Sequence, residues 1–504
     1  MSYWQLLTLA APETIVVITA VAVLAVDLLV MREEPVRNRF WIGAAFAALG
    51  CLVATVWLLM INPPIHPVGE YVSALPLLKG MFVDDPLVRL VKVALLGLTI
   101  LTIVLSMESK FTQHVGEYLA LILLAAVGMM FLVSSEDLLM IFISLELTSL
   151  SLYILTAFNK QNVKSAEAAL KYFLFGGMSA AFTLFGLSWV YGLAGSTGLH
   201  EIAAKLDQPV LDPLLLGAIV MTVIGFGFKI AAVPFHLWAP DAYQGAPTPS
   251  AAFIASGSKV ASFFIFAKVM MLGFAHAGGS GAWRNYAPGW LPVLAALAAF
   301  SMLLGNLTAI TQSNVKRLLA YSAIAHGGYA LLGILANGPQ GITSLVYYVV
   351  TYGLTVLGAF GVVGLVEERA GDARLSDFAG LGRREPLLAA CMMIFMLSLA
   401  GIPPLAGFFG KFYLFTAAVG GAKDMGMLWL VIFAIAMSAV SLYYYLQVLK
   451  QIYVVQVPME KSTWVTPLSS KIVVAVIALA VVLLGCAPDL IVGRLLAAIK
   501  LAVL

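Results

Sequence analysis

Fourteen stretches of this 504-residue chain are long and apolar enough to cross a lipid bilayer, and nothing else in the sequence constrains the fold as strongly. A crossing helix needs about 20 mostly apolar residues. Such runs occur at 9–30, 41–60, 83–105, 116–133, 138–158, 167–193, 212–237, 248–273, 290–311, 317–336, 341–366, 386–418, 428–453 and 471–495. They are continuous rather than alternating, which favours helices over barrel strands. The expected fold is therefore an all-α polytopic membrane protein of about fourteen transmembrane helices. Only 11% of the residues are charged, against roughly 25% in soluble domains, so too little charge exists to coat globular surfaces. The net charge of +3 excludes nucleic-acid binding driven by bulk charge. Cys51, Cys391 and Cys486 are isolated, so no zinc site, iron–sulfur cluster or disulfide is expected from this chain.

Loop charge sets the orientation. The connections that follow odd-numbered spans carry fifteen Lys or Arg, including Arg32, Arg37, Arg39, Lys160, Lys164, Lys316, Arg317, Arg369, Arg374, Arg383 and Arg384. The other side carries six: Lys79, Lys205, Arg284, Lys423, Arg494 and Lys500. Basic loops stay on the cytoplasmic side, so both termini are expected to face away from the cytoplasm. The first run has no basic leader, and Pro12 and Glu13 come first, so a retained span is expected rather than a signal peptide.

Charge at the bilayer centre costs at least about 2.5–3.5 kcal/mol per residue, which makes buried ionisable groups functional candidates. Glu146, Lys229, Lys259, His326 and Lys411 lie well inside the fifth, seventh, eighth, tenth and twelfth runs. Lys92, Lys171, His236 and Lys268 lie nearer the ends. For Lys92 and Lys268 a snorkelling side chain or a structural ion pair is the simpler expectation. Ser149 and Tyr153 extend a polar stripe along the Glu146 face. Lys229 and His236 share a face, and Pro234 between them leaves the Ile230 carbonyl without its helical partner. Ser256 and Ser262 flank Lys259. His66, His114, His200 and His276 fall in or beside loops and are assigned no role.

The run at 386–418 is too long for one straight crossing and is interrupted at GIPPLAGFFGKF, where Pro403 and Pro404 break the bonds to Leu399 and Ala400. Interrupted helices at corresponding places in two halves point to a transport site. GFGFK at 225–229 echoes GFFGK at 407–411, five spans apart. An odd offset reverses membrane orientation, so two inverted five-helix repeats are expected, with helices 7 and 12 broken. The chain then divides into a three-helix segment (1–110), a first repeat (111–275, spans 4–8), a second repeat (276–458, spans 9–13) and a C-terminal helix (459–504). A lysine in low dielectric loses its proton more readily, and a nearby carboxylate restores its hold. Glu146, Lys229, Lys259, His326 and Lys411 are therefore expected to form a lateral proton relay, with His236 and Lys171 as less central members. With no Walker-type loop or ordered dinucleotide fingerprint, the energy must come from elsewhere.

The stretch FKIAAVPFHLWAPDAYQGAPTPSAAFIASGSK (228–259) strongly resembles the antiporter-like subunits of respiratory complex I, which are related to Mrp-type sodium/proton antiporters. Span number, orientation and paired broken helices match that family along essentially the whole chain. By this resemblance Glu146 corresponds to the fifth-helix Glu, Lys229 to the seventh-helix Lys, Lys259 to the eighth-helix central lysine and Lys411 to the twelfth-helix terminal group. A lysine at 411, where M-type relatives usually carry Glu, resembles the N-type branch, and L-type relatives run longer. The resemblance implies proton translocation driven by quinone reduction elsewhere in an NADH:quinone oxidoreductase. It implies no cofactor in this chain, with FMN, iron–sulfur clusters and quinone in partner subunits. It implies neighbouring antiporter-like and small membrane subunits as partners. An Mrp-type cation/proton antiporter or hydrogenase-linked ion-pumping subunit is the alternative; an autonomous symporter and a passive scaffold are further rivals.

Overall fold

A computed structural model of the chain describes residues 9–60, 81–207, 212–421, 425–455 and 466–501. Lys79, Lys423, His66 and the proposed 458/459 boundary lie outside the described residues. The described part is overwhelmingly helical. Among the described residues, twelve helices are long and apolar enough to cross a membrane. The first six are α1 (Ala11–Leu29), α2 (Val36–Met60), α3 (Pro86–Ser106), α4 (Val115–Ser134), α5 (Leu138–Thr156) and α6 (Val163–Ala194). The seventh run holds a shorter α7 (Pro213–Lys229) and an irregular stretch, and α8 (Trp238–Gly245) follows just beyond the expected end of the run at 237. The eighth comprises α9 (Thr248–Ala255) and α10 (Gly257–Lys268), ending in a π turn at Val269–Gly273. Then follow α11 (Trp290–Ile310), α12 (Val315–Leu335) and α13 (Pro339–Ala370). The twelfth run divides into α14 (Pro386–Ala400) and α15 (Ala406–Gly421), before α16 (Leu428–Tyr453) and α17 (Leu468–Cys486).

Proline positions explain both divisions. Pro234 follows the end of α7, and Pro403 and Pro404 lie between α14 and α15, where each removes a backbone donor. The expected echo of GFGFK and GFFGK is not positional, however. Lys229 is the last residue before its break, whereas Lys411 lies in the helix after its break. The final apolar run is also divided. Pro488 ends α17, and a separate α18 (Asp489–Leu501) packs on α13 and α3.

Burial separates centre from rim. The segment Thr248–Gly273 is 100% buried along its apolar window, whereas α2 is only 28% buried. The polar residues of Thr248–Gly273 are therefore surrounded by protein, and the outer faces of α2 and α6 offer apolar side chains such as Leu49, Leu59, Leu174 and Phe185 to the surroundings. A minimal hairpin, Ser280–Gly281 with Tyr286–Ala287, supplies the strands among the described residues.

One backbone pattern recurs. Leu138 N–H donates to the Thr197 carbonyl at 2.8 Å and Leu199 N–H to the Glu136 carbonyl at 2.9 Å. Val315 N–H donates to the Ala373 carbonyl at 2.7 Å and Leu375 N–H to the Ser313 carbonyl at 2.8 Å. Asp137 and Asn314, each immediately before the helix, cap α5 and α12 with their side chains. The start of α5 is thus tied to the chain after α6 as the start of α12 is tied to the chain after α13.

Candidate proton-relay site

The site begins where α7 ends. Lys229, its last residue, places Nζ 3.6 Å from Glu146 Oε1 and donates to Ser149 Oγ at 2.5 Å, both on α5. Ser149 in turn donates to the Leu145 carbonyl, so it holds its position without competing for the lysine proton. The Lys229 side chain is 9% exposed and that of Glu146 26%, which puts the pair at the edge of the protein interior. Tyr153 continues the same face of α5, and its hydroxyl is buried.

Lys259 answers the break directly. Its Nζ donates to the Ile230 carbonyl, the acceptor that Pro234 deprives of a helical partner. Lys411 does the same at the other break. It donates to the Leu399 carbonyl at 2.9 Å, the Ala400 carbonyl at 3.1 Å and Ser438 Oγ at 2.8 Å, which occupies all three ammonium donors. Both lysines are buried, and no carboxylate pairs with either among the described residues. Exposed carbonyls therefore balance charges that would otherwise be costly in an apolar interior.

His326 lies between these two lysines in a tyrosine cluster. Its Nδ1 is 2.6 Å from the Tyr348 hydroxyl and its Nε2 3.0 Å from the Tyr445 hydroxyl, which also meets Ser322 at 2.5 Å. A neutral imidazole donates from one nitrogen and accepts at the other, so a proton arriving on one side can leave on the other. Toward Lys259, a Cβ on Gly327 would lie 3.4 Å from the Ile230 carbonyl oxygen. Toward Lys411, its Nζ sits 5.0 Å from the Tyr329 ring centre, and the Tyr329 hydroxyl is tied through Asn306 to Tyr444. Gly410 allows α15 to approach Tyr348, since a Cβ there would come within 2.7 Å of its ring.

The other candidates fall elsewhere. Lys171 is 40% exposed and pairs with Glu167 at 2.7 Å and Asp241 at 2.8 Å. Arg317 joins Asp241 from the far side at 2.6 Å. His236 sits in the break after α7, partly buried. Lys92 and Lys268 take ion-pair partners: Glu13 at 2.7 Å and Glu136 at 2.8 Å. Glu136 lies in the short link between α4 and α5. Burial opposes its charge, but Lys268 and His200 outweigh that and hold its pKa down to about 2. Sequence reasoning missed Glu13, Glu136 and the tyrosines around His326. Glu13 was visible at the head of the first run; the tyrosines resembled ordinary apolar positions. Among the described residues no group of three or more His, Cys, Asp or Glu is placed to hold a metal ion.

The family described as "NADH:quinone oxidoreductase/Mrp antiporter, TM" matches residues 135–441. The chain is 52% identical over 498 residues to NADH-quinone oxidoreductase subunit N 2 of Acidobacterium capsulatum, covering 97% of this chain and 98% of that one. Among solved structures it resembles a chain of respiratory complex I from Thermus thermophilus with bound aureothin. That match has TM-score 0.74 and 31% identity, and covers 97% of this chain and 100% of that one. A chain of the Mrp complex from Dietzia superposes with TM-score 0.81 at 20% identity, over 99% of this chain and 97% of that one, which is a likeness of fold.

Proposed function

We infer the work of this chain from its membership: it belongs to the membrane-subunit family shared by NADH:quinone oxidoreductases and Mrp antiporters. Within that family it is an antiporter-like, proton-pumping subunit N of NADH-quinone oxidoreductase. Our proposal concerns how it moves protons. Glu146 and Lys229 form the input pair, Lys259 and His326 the central stations, and Lys411 the terminal station. The observation that carries this reading is the row of buried groups at helix breaks: Lys229 beside Glu146, Lys259 on the Ile230 carbonyl, and Lys411 on the Leu399 and Ala400 carbonyls.

The mechanism follows from those contacts. Widening the 3.6 Å gap between Glu146 and Lys229 withdraws the negative charge that favours the protonated lysine. The proton then moves inward, toward Lys259 and on to His326. Protonation of one His326 nitrogen permits release from the other toward the tyrosine cluster and Lys411. The driving event is quinone reduction in a partner subunit, and FMN, the iron–sulfur clusters and quinone belong to partners. Neighbouring antiporter-like and small membrane subunits flank the chain. Lys171 and His236 assist the input side without being stations themselves.

We further propose fourteen crossings, α7 with α8 and α14 with α15 completing two broken ones, in a bacterial inner membrane with both termini periplasmic. The recurrent hydrogen bonds at α5 and α12 support inverted repeats of spans 4–8 and 9–13. They favour the division into 1–110, 111–275, 276–458 and 459–504. The test of the relay is Lys229→Ala and Glu146→Ala in the assembled complex. Proton pumping should fall by about 10²-fold or more for Lys229→Ala, the scale of losing a positioned acid–base group. Assembly on native gels should be unchanged. Normal pumping by both variants would sink the relay, and a purified native assembly without flavin and iron–sulfur partners would favour the Mrp-type alternative.

A further inference from the structure

A third lysine repeats the pattern at a helix end and belongs to none of the stations above. Lys316, at the start of α12, is 2% exposed although it counts as a loop residue in the sequence. Its Nζ donates to the Ala246 carbonyl at 3.0 Å, where α8 ends, and to Thr248 Oγ1 at 3.2 Å. It also pairs with both carboxylate oxygens of Glu367, at 3.1 and 3.2 Å, and Thr248 donates to that same carboxylate. This cluster borders a cavity of about 520 Å³. The cavity walls carry Glu108, Lys110, Glu368 and Arg369, on the face where the basic loops gather.

Below the cavity floor the same two helices meet again. Lys316 and Glu367 join α12 to α13 at the cavity; His326 and Tyr348 join them at 2.6 Å further in. Lys316 and His326 stand ten positions apart on α12, a distance of about 15 Å. Two buried tyrosine hydroxyls without protein partners among the described residues, Tyr243 and Tyr352, are placed along that interval. The Tyr243 ring packs edge-on against Phe360 of the cavity wall, with centres 6.0 Å apart. The Tyr352 ring lies 4.8 Å from His326. A buried hydroxyl needs a hydrogen bond, and where protein supplies none, ordered water does.

We propose that the cavity is the proton-uptake vestibule of the relay, with Glu367 as its proton acceptor and Lys316 as its latch. The proposal rests on the relay reading and adds the route by which His326 is reloaded from the basic-loop face, separate from the Glu146–Lys229 input pair. The Glu367 carboxylate takes a proton from water in the cavity and so loses its attraction for Lys316. The proton passes over waters held by the Tyr243 and Tyr352 hydroxyls to His326. Glu367 is left as a carboxylate, pairs again with Lys316, and closes the entry. No other reactant is consumed.

The test uses the assembled complex in inverted membrane vesicles. Glu367→Gln should lower quinone-coupled proton uptake about tenfold or more, and Glu367→Asp less, because only the aspartate keeps an acceptor. A cysteine at the cavity wall gives a second readout that leaves the latch intact. In an Asn159→Cys, Cys486→Ala variant the two remaining native cysteines, Cys51 and Cys391, are buried. Modification by a bulky charged thiol reagent from the basic-loop face should abolish uptake, and reduction should restore it. Parental uptake in the modified Asn159→Cys variant overturns the vestibule even if Glu367→Gln does not assemble. Lys229→Ala separates the two readings. If it loses pumping while the Glu367 and Asn159 variants do not, the relay stands and the vestibule falls; if it and Glu146→Ala both pump normally, the relay itself falls.

Discussion

A lysine without a carboxylate partner is an expensive residue to bury, and Lys259 shows what makes it tolerable. Its ammonium takes the carbonyl that Pro234 frees, so two costly polar groups satisfy each other. Lys411 meets the carbonyls of Leu399 and Ala400 in the same way. Replacing such a lysine by an isosteric apolar residue leaves the carbonyl unpartnered, a penalty of about 1–3 kcal/mol. Lys259→Met should therefore lower the thermal stability of the chain in the purified complex by that amount, in addition to stopping proton transfer. An unchanged unfolding temperature would show that the Ile230 carbonyl is satisfied some other way. The site was partly legible at this scale: Pro234, Pro403 and Pro404 named the orphaned acceptors in advance. Which lysine reaches which carbonyl was not, because residues 230 and 259 meet only when two helices pack.

Individual helices carry further ion pairs that bind the bundle together. Glu13 of α1 and Lys92 of α3 meet at 2.7 Å, both buried, so the first helix is fastened to the third across the interior. Breaking one partner of a buried pair costs about 3–5 kcal/mol, whereas replacing both by apolar groups is often neutral. Glu13→Leu alone should accordingly loosen α1, read as earlier release of the N-terminal segment to a protease on warming. The double variant Glu13→Leu, Lys92→Met should recover most of the loss. Equal sensitivity of single and double variants would mean that the pair has a role other than fastening. Hydrophobic periodicity found Lys92 as an oddity but could not supply its partner, since Glu13 sits in a first turn where acids are common anyway. Similarly, the GFGFK echo suggested equivalent positions, yet the backbone break falls after Lys229 and before Lys411.

For the molecule as a whole, the buried centre and apolar rim confine titration to a few places, and acid stability should report one of them. Burial works against the Glu136 charge, but Lys268 and His200 hold its carboxyl down to about 2 in the folded chain, against an ordinary 4.5. A depressed carboxyl contributes stability that is fully present above its unfolded value and disappears as pH falls through its folded value. The contribution of the Glu136–Lys268–His200 cluster should therefore fade between about pH 4.5 and pH 2. Unfolding temperature in detergent, followed over that window, should fall more steeply for the parent than for Glu136→Gln. Parallel curves would remove Glu136 from the account.

Apolar run length and loop charge by themselves determined that the chain is a polytopic helical membrane protein, because a bilayer permits few alternatives to a helix with internally satisfied backbone. Proline positions determined where helices must break, since the lost donor is local chemistry. Only the tertiary structure decided that Lys259 and Lys411 sit on those broken ends, that His326 is held between Tyr348 and Tyr445, and that Lys316 is buried against Glu367 rather than solvated in a loop. Those are contacts between helices far apart in sequence, and neither hydropathy nor spacing carries information about which faces meet.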